Sequence, residues 1–317
     1  MRRTTRFRHL VEASDILMLP AVHDALGARI AEKAGFDAIT SGGYAASATL
    51  LGKPDTSQLS LTEMADYYAR LCDATGLPVF ADGDTGFGNP TNVARTVRLY
   101  EKAGVAGLFI EDQVFPKRCG HMAGKAVVPI EEFLSKIGAA LDSRQDPDLV
   151  IMARTDALAV HGLEDAIERA ALAREAGADL LFVEAPGTLV EMRRICAELD
   201  GPCLANNLDG GQSPVIPAKE LEAIGYAVVA YATAATYAVA HALQGVLSTI
   251  REHGAPLGWG DRMFDFERFN DLVGLGELRS REQAHLDFAT KLAARGRISE
   301  PAAEELRTSS AKEGSSR

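Results

Sequence analysis

The stretch LPVFADGDTGFGNPTNVARTVRLYEKAGVAGLFIED (77–112) decides the fold. It opens on an apolar run, 77–82, in which polar and apolar residues do not alternate. A helical pattern follows over 92–103, and Gly104 stands just past it, where a left-handed cap is wanted. A second apolar run, 106–112, closes the unit. A strand that is apolar on both faces is one covered by helices, as in a parallel sheet. The same unit recurs along the chain. Apolar runs lie at 16–22, 36–41, 77–82, 106–112, 149–155, 178–185, 201–207 and 226–233. Helical patterns fall between them at 24–34, 61–75, 92–103, 130–143, 163–176, 189–198 and 218–224. Alternating strands and helices define an α/β protein. Eight such units within about 220 residues fit a closed (β/α)8 TIM barrel better than an open doubly wound sheet. No GxGxxG follows the first run, so nothing supports a dinucleotide site of the Rossmann kind.

The rest of the chain fits around that barrel. At about 150 residues per domain, 317 residues allow two domains or one barrel with extensions. The expected organisation is one barrel domain with a C-terminal helical extension over 1–300, helical in pattern over 234–243 and again over most of 244–300. A polar tail, expected to be disordered, follows at 301–317. Hydrophobic residues make up 47% and charged residues 24%, which excludes wholesale disorder. The formal net charge of −11 speaks against nucleic-acid binding, which needs basic faces toward phosphate. Cys72, Cys119, Cys196 and Cys203 lie 47, 77 and 7 residues apart, which fits neither a zinc ribbon nor a disulfide framework. A reducing cytoplasm is the expectation. The run 16–22 is too short, and too interrupted by Pro20, for the core of a signal peptide. The uncharged stretch 225–245 is read as a buried strand followed by a buried helix rather than as a membrane span.

Polar residues stand at the C-terminal ends of the apolar runs: Ser41, Asp82, Glu111, Arg154, Glu184 and Asn206. In a barrel those ends meet at one mouth, where catalytic groups gather. Asp82 and Asp84, two apart, would point the same way from extended backbone. Together with Glu111 they would repel one another unless a hard divalent ion, most simply Mg2+, sat among them. Helix N-caps are the bland alternative for the aspartates. The segment 111–125 reads as a long loop able to close over the site. Within it Cys119 is flanked by Lys117, Arg118 and His121, and such neighbours are expected to lower a thiol's pKa. Cys119 then serves as a proton donor or a nucleophile. The other three cysteines read as buried small residues, and His161 as structural. Arg154 can grip a substrate carboxylate or form an ion pair with Asp156 or Glu184. Ser41, Gly42, Gly43 and Tyr44 offer backbone N–H groups for a carboxylate.

Taken together, these residues resemble the isocitrate lyase/phosphoenolpyruvate mutase superfamily over residues 5–290 or so. The pieces that carry the resemblance are LGKPD (51–55), DGDTGFGNPTNV (82–93), EDQVFPKRCGHMAGKAVVP (111–129), ARTDALAVHGLEDAIERA (153–170), FVEAP (182–186) and ANNLDGGQSP (205–214). The resemblance implies a barrel with a mobile loop carrying Cys119, and a cytoplasmic homotetramer whose subunits exchange a C-terminal helix. It implies Mg2+, with Mn2+ as a possible substitute, bound directly by Asp82 and mainly through water by Asp84 and Glu111. Cys119 would protonate a carbanion. Gly120, His121 and Arg154 would hold carboxylate, Glu184 and Asn206 would line the pocket, and Asp55 would lie near the metal's outer shell. The stretches DGDTG, GHMAGKAVVP and GGQSP are closest to the oxaloacetase and 2-alkylmalate or dimethylmalate lyase branch. The implied activity is carbon–carbon cleavage of a small 2-hydroxy dicarboxylate, without nucleic acid or membrane as partner. Methylisocitrate lyases carry a Thr where Leu208 stands, which speaks against a tricarboxylate. Asn207 replaces a common apolar residue and suggests a more polar pocket. The aromatic residue that precedes the small-residue cradle in many relatives aligns with Thr40, leaving Tyr44 just past it. Phosphoenolpyruvate or carboxyphosphonoenolpyruvate mutase chemistry, and a barrel kept only for binding, are the rival readings.

Overall fold

The computed structural model describes residues 1–122 and 124–298, so the tail expected at 301–317 lies outside the described residues. The chain forms two compact units, residues 1–256 and residues from 257 on. The first holds eight strands: β1 (Leu17–Pro20), β2 (Ile39–Ser41), β3 (Val79–Asp82), β4 (Gly107–Glu111), β5 (Val150–Thr155), β6 (Leu180–Val183), β7 (Leu204–Asn206) and β8 (Val228–Tyr231). Each falls inside one of the eight apolar runs. Five pair in the order β2-β3-β4-β5-β6 and three as β1-β8-β7, all parallel. Two single parallel bridges, Ala21 to Thr40 and Leu181 to Cys203, link the two sets. The strands thus follow one another in chain order around a (β/α)8 barrel.

Strand periodicity divides the core in two. Leu108, Ile110, Ile151, Ala153, Leu181 and Val183 face the surrounding helices. Phe80, Phe109, Met152, Phe182 and Leu204 face the barrel interior. Side chains alternate across a strand. Two residues further along, the same inward positions are therefore Asp82, Glu111, Arg154, Glu184 and Asn206. The floor of the mouth is apolar and largely aromatic, and the polar layer stands on it. Gly83 follows directly from β3 because a Cβ there would collide with the Phe109 carbonyl oxygen.

Three helices of the first unit lay outside the periodic reading, one of them the short turn Leu158–His161. Arg3–Val11 buries Phe7 and Val11 in the interior cluster, with Phe7 stacked on Phe80 at 5.4 Å between centroids. Its arginines are spent on surrounding acceptors, Arg8 on Asp179 at 2.9 Å and Arg3 on the carbonyls of Cys72 and Thr75. Gly43–Leu51 starts where only a backbone nest was expected. The helix after β8 also departs from expectation. It runs Ala234–His253, continuing into the stretch also read as helical, but none of its residues is buried. Tyr237, Leu243, Leu247 and Ile250 are exposed apolar residues along it. The second unit contains a short 3-10 turn, Gly260–Arg262, and the helices Phe266–Leu272 and Leu275–Ile298. Among the described residues no helix is long and apolar enough to cross a membrane.

Tyr68 ties the first two mouth strands together. Its fully buried hydroxyl accepts from the Asp82 N–H at 2.7 Å and donates to the Ser41 carbonyl at 2.6 Å. Removing the hydroxyl leaves both groups unpaired in the core, which costs about 1–3 kcal/mol. Tyr68→Phe should therefore lower the midpoint of thermal unfolding by several degrees. An unchanged midpoint would show that these backbone groups find other partners.

Candidate active site

The mouth of the barrel holds a pocket lined by Ser41, Gly42, Tyr44, Asp55, Asp82, Cys119, Gly120, His121, Arg154, Glu184 and Asn206, among others. Gly43, Asp84 and Glu111 stand immediately behind this lining. All residues singled out in the sequence thus converge, from β2, β3, β4, β5, β6 and β7 and from the loop after β4.

Asp82 is fixed by two amides. Its Oδ2 accepts from Gly43 N–H and its Oδ1 from Asp84 N–H, both at 2.8 Å. The Gly43 amide is therefore committed to Asp82 rather than free for a ligand, and Ser41 Oγ is paired with Tyr67 Oη at 2.7 Å. Asp84 is not on extended backbone as expected; its φ is +47°, in the left-handed region. Short polar residues such as Asp tolerate that conformation best. The turn brings its carboxylate to 2.7 Å from Lys117 Nζ, which also meets Asp55 at 2.8 Å. Burial pushes the Asp84 carboxyl up to about 7, Lys117 pulls it down, and Asp82 and Asp55 add to the rise. Sequence reading treated Lys117 only as a neighbour of the thiol. Its pairing with Asp55 of LGKPD is visible only once the fold brings 55 and 117 together.

Arg154 lies between the rings of Phe109 and Phe182, at 5.4 and 5.3 Å from their centroids. Its guanidinium reaches Asp156 Oδ2 at 3.0 Å, Glu184 Oε2 at 2.9 Å and Glu111 Oε2 at 3.3 Å. Burial alone would raise Glu184, but Arg154 and His121 outweigh it and hold the carboxylate below its usual range. His121 Nε2 is 3.1 Å from Glu184 Oε1, and its Nδ1 accepts from the Gln212 N–H at 3.0 Å. A neutral ring that accepts at Nδ1 carries its proton on Nε2, which then faces Glu184.

The thiol differs from expectation. Burial raises the Cys119 pKa, and Glu184 and Asp55 add to the rise against the His121 amide and Arg154. Adjacency in sequence misled here, because the Lys117 ammonium is occupied by carboxylates. Tyr44 lines the pocket; its hydroxyl is 3.2 Å from Tyr237 Oη, and that bond, with burial, raises it to about 12. Leu208 also lines the pocket. Asn207 does not make the pocket more polar, since its Nδ2 donates to the Ile216 carbonyl at 2.8 Å.

Could this mouth hold a cation? Both Glu111 carboxylate oxygens are buried without a hydrogen bond. Burial drives that carboxyl well above the usual range despite Arg154 and Lys117. Such under-neutralised oxygens suit a hard divalent ion. Among the described residues no three acidic, imidazole or thiol side chains form a ready-made cage. An ion here would draw much of its shell from water and ligand, as Mg2+ commonly does.

A closed parallel barrel with an acidic mouth and a thiol on the loop above it is the architecture of an enzyme. The family model described as phosphoenolpyruvate phosphomutase matches residues 7–251, and the chain belongs to that family. The chain is 44% identical to the 2,3-dimethylmalate lyase of Eubacterium barkeri, over 89% of this chain and 98% of that one. Oxaloacetate acetylhydrolase bound to 3,3-difluorooxalacetate superposes with a TM-score of 0.84 at 36% identity, covering 89% of this chain and 96% of that one. A phosphonopyruvate hydrolase solved with oxalate and Mg++ gives 0.82 at 29% identity, covering 90% and 100%. Further relatives are named 2-methylisocitrate lyase and carboxyvinyl-carboxyphosphonate phosphorylmutase. The chain is a carbon–carbon lyase of the PEP mutase/isocitrate lyase superfamily.

The thiol gives a pH test. A raised pKa leaves Cys119 protonated at neutral pH, and alkylating agents react with the thiolate. The iodoacetamide rate at Cys119 should rise with pH around a midpoint above about 8.5, the ordinary thiol value. A midpoint near or below 7 would restore the activated thiolate.

Proposed function

We propose that this enzyme cleaves the C2–C3 bond of a small 2-hydroxy dicarboxylate in a Mg2+-dependent reaction. The substrate class is a 2-alkylmalate, 2,3-dimethylmalate or hydrated oxaloacetate. The products are a 2-oxo acid or oxalate, together with a carboxylate. The observation that carries this reading is a half-buried thiol on a loop that rests on an Arg–Glu–His cluster at an acidic mouth.

Asp82, with Asp84 and Glu111 around it, would hold Mg2+, which supplies a Lewis acid for the oxygens of the 2-oxo acid portion. Mn2+ fits the same oxygen ligands. Arg154, stacked between two rings and anchored by Asp156, presents fixed positive charge to a substrate carboxylate. Gly120 and the proton on His121 Nε2 add donors, and Ser41, Gly42, Gly43, Tyr44, Asp55 and Asn206 complete the substrate wall. The 2-hydroxyl gives its proton to a carboxylate of the mouth, its O–H electron pair forms the C2 carbonyl, and the C2–C3 pair moves onto C3 as an enolate; the proton held on the carboxylate later restores the thiol. Cys119 then gives its proton to C3, which a raised thiol pKa favours over nucleophilic attack. Loop closure keeps water from the carbanion.

Leu208 supports a dicarboxylate, since an apolar side chain gives a third carboxylate no partner. That distinguishes this reading from a 2-methylisocitrate lyase. The thiol loop speaks against phosphoenolpyruvate mutase chemistry and less strongly against carboxyphosphonoenolpyruvate mutase chemistry, which phosphonate substrates would separate. We further propose a cytoplasmic homotetramer. The exposed apolar residues on Ala234–His253 support assembly, and light scattering should read four chains in solution.

The test is a panel of oxaloacetate, 2-methylmalate, 2,3-dimethylmalate and 2-methylisocitrate with Mg2+. We expect turnover of one or more dicarboxylates, with kcat lowered about 10²–10⁴-fold in Cys119→Ser, the usual cost of losing a positioned proton donor. Turnover of methylisocitrate alone would overturn the substrate class. An undiminished Cys119→Ser variant would overturn the proton donor.

A further inference from the structure

The loop between Gln113 and Val128 carries a cation, Lys125, to which the proposed reaction assigns no role. Lys125 is charged and sits on a surface loop, yet its side chain is 2% exposed. Its Nζ lies 2.8 Å from Asp156 Oδ1 and also donates to the carbonyl of Gly120. These two partners belong to different parts of the molecule. Asp156 is built into the barrel: its N–H donates to Asp112 Oδ1 at 2.8 Å, and Asp112 accepts from Thr155 Oγ1 at 2.6 Å. Gly120 is the loop residue between Cys119 and His121. We propose that Lys125 is a positioning residue that holds the thiol loop closed. Its ammonium ties the Gly120 carbonyl to the Asp156 carboxylate and so seats Cys119, Gly120 and His121 against the Arg154–Glu184 pair.

Sterics and charge both support this role. A Cβ on Gly120 would lie 2.5 Å from Glu184 Oε2 and would also collide with Arg154 Nη2, so the loop rests directly on that ion pair. Contact this close needs a restraint at Gly120 itself, and Lys125 provides a charge-assisted one. Other clamps act elsewhere on the loop. Gln113 pairs with the backbone of Arg118, Ser57 Oγ donates to the Lys117 carbonyl, and Gln212 holds His121. Asp156 also accepts from Arg154 Nε at 3.0 Å and from its Nη2 at 3.3 Å. Without Lys125, the carboxylates of Asp156, Glu184 and Glu111 would have to share the single guanidinium. One ammonium thus fixes both the height of the loop and the orientation of Arg154.

The test measures loop position without any substrate, so its failure is distinguishable from failure of the lyase reading, on which the role in turnover rests. Cys119 in the ligand-free enzyme is alkylated with iodoacetamide and followed by peptide mass. Lys125→Met should react about tenfold faster than the unaltered enzyme, the effect of losing one charge-assisted hydrogen bond. On whichever dicarboxylate is turned over, kcat should fall more than KM rises, with the unfolding midpoint nearly unchanged. A residue that only stabilises the fold would lower the midpoint and leave alkylation and the balance between kcat and KM alone. Lys125→Gln, which keeps a donor without charge, should fall between the two. Alkylation and kcat within about twofold of the unaltered enzyme in a folded Met or Gln variant would overturn the proposal. So would failure of both variants to fold, since Lys125 would then serve the fold rather than the loop.

Discussion

Six carboxyl groups, those of Asp55, Asp82, Asp84, Glu111, Asp156 and Glu184, are buried around one barrel mouth. Three cations pair among them: Lys117, Lys125 and Arg154. Desolvated charge is expensive unless it is neutralised. This imbalance constrains nearly everything else about the site. It holds Lys117 against Asp55 and Asp84, it adds to the rise that burial imposes on the carboxyls of Asp84 and Glu111, and it makes the mouth receptive to a divalent cation. Burial, with Glu184 and Asp55 adding to it, likewise gives a thiol of raised pKa beneath a basic stretch of sequence. The basic residues answer to the carboxylates, which outnumber them.

The barrel makes such crowding possible by separating the polar layer from a dry one. Phe80, Phe109 and Phe182 lie one inward position below Asp82, Glu111 and Glu184, and Phe7 closes the cluster from beneath by stacking on Phe80. Two of these rings also lie against Arg154, so its guanidinium meets carboxylates and, at 5.4 and 5.3 Å, the aromatic rings of the floor. A planar cation held in this way keeps its orientation when a ligand arrives. A low local dielectric strengthens its pull on nearby negative charge.

The barrel and the identity of the mouth residues could be read from the sequence because both follow from periodicity. Strands buried on both faces announce themselves as apolar runs, and a period of two then puts the residue at each run's end on the interior. The pairings could not be read, because they depend on loops whose direction periodicity does not fix. Lys117 was visible as a neighbour of Cys119, but its ion pair spans 62 residues of chain. Nothing in the sequence singled out Lys125, whose partner Asp156 lies 31 residues further along the chain. The helix Gly43–Leu51 has a weak amphipathic signal because it is small and apolar throughout, and its N-terminus matched a turn equally well. The first half of the helix Ala234–His253 was expected to be buried because the stretch 225–245 is uncharged. Lack of charge shows that a surface is not meant for water, and a partner can cover such a surface as well as the chain's own core can.

Closure of the mouth is as much a matter of missing atoms as of charge. Gly120 and Gly211 lack side chains at the two points where loops press on the cluster, one against Arg154 and Glu184, the other 2.8 Å from His121 Nδ1 as measured from a Cβ that is not there. Gln212, next to Gly211, then supplies the N–H that fixes the imidazole. The loop after β4 and the loop after β7 can meet over the pocket only because both are bare at the contact. With a methyl group at either position the contact between His121 and Glu184 would be disturbed, and Glu184 would lose one of the two partners, Arg154 and His121, that hold it below its usual pKa range. The glycines of KRCGH and GGQSP therefore belong to the electrostatics of the site. By letting backbone approach carboxylate and imidazole, they help hold Glu184 below its usual pKa range.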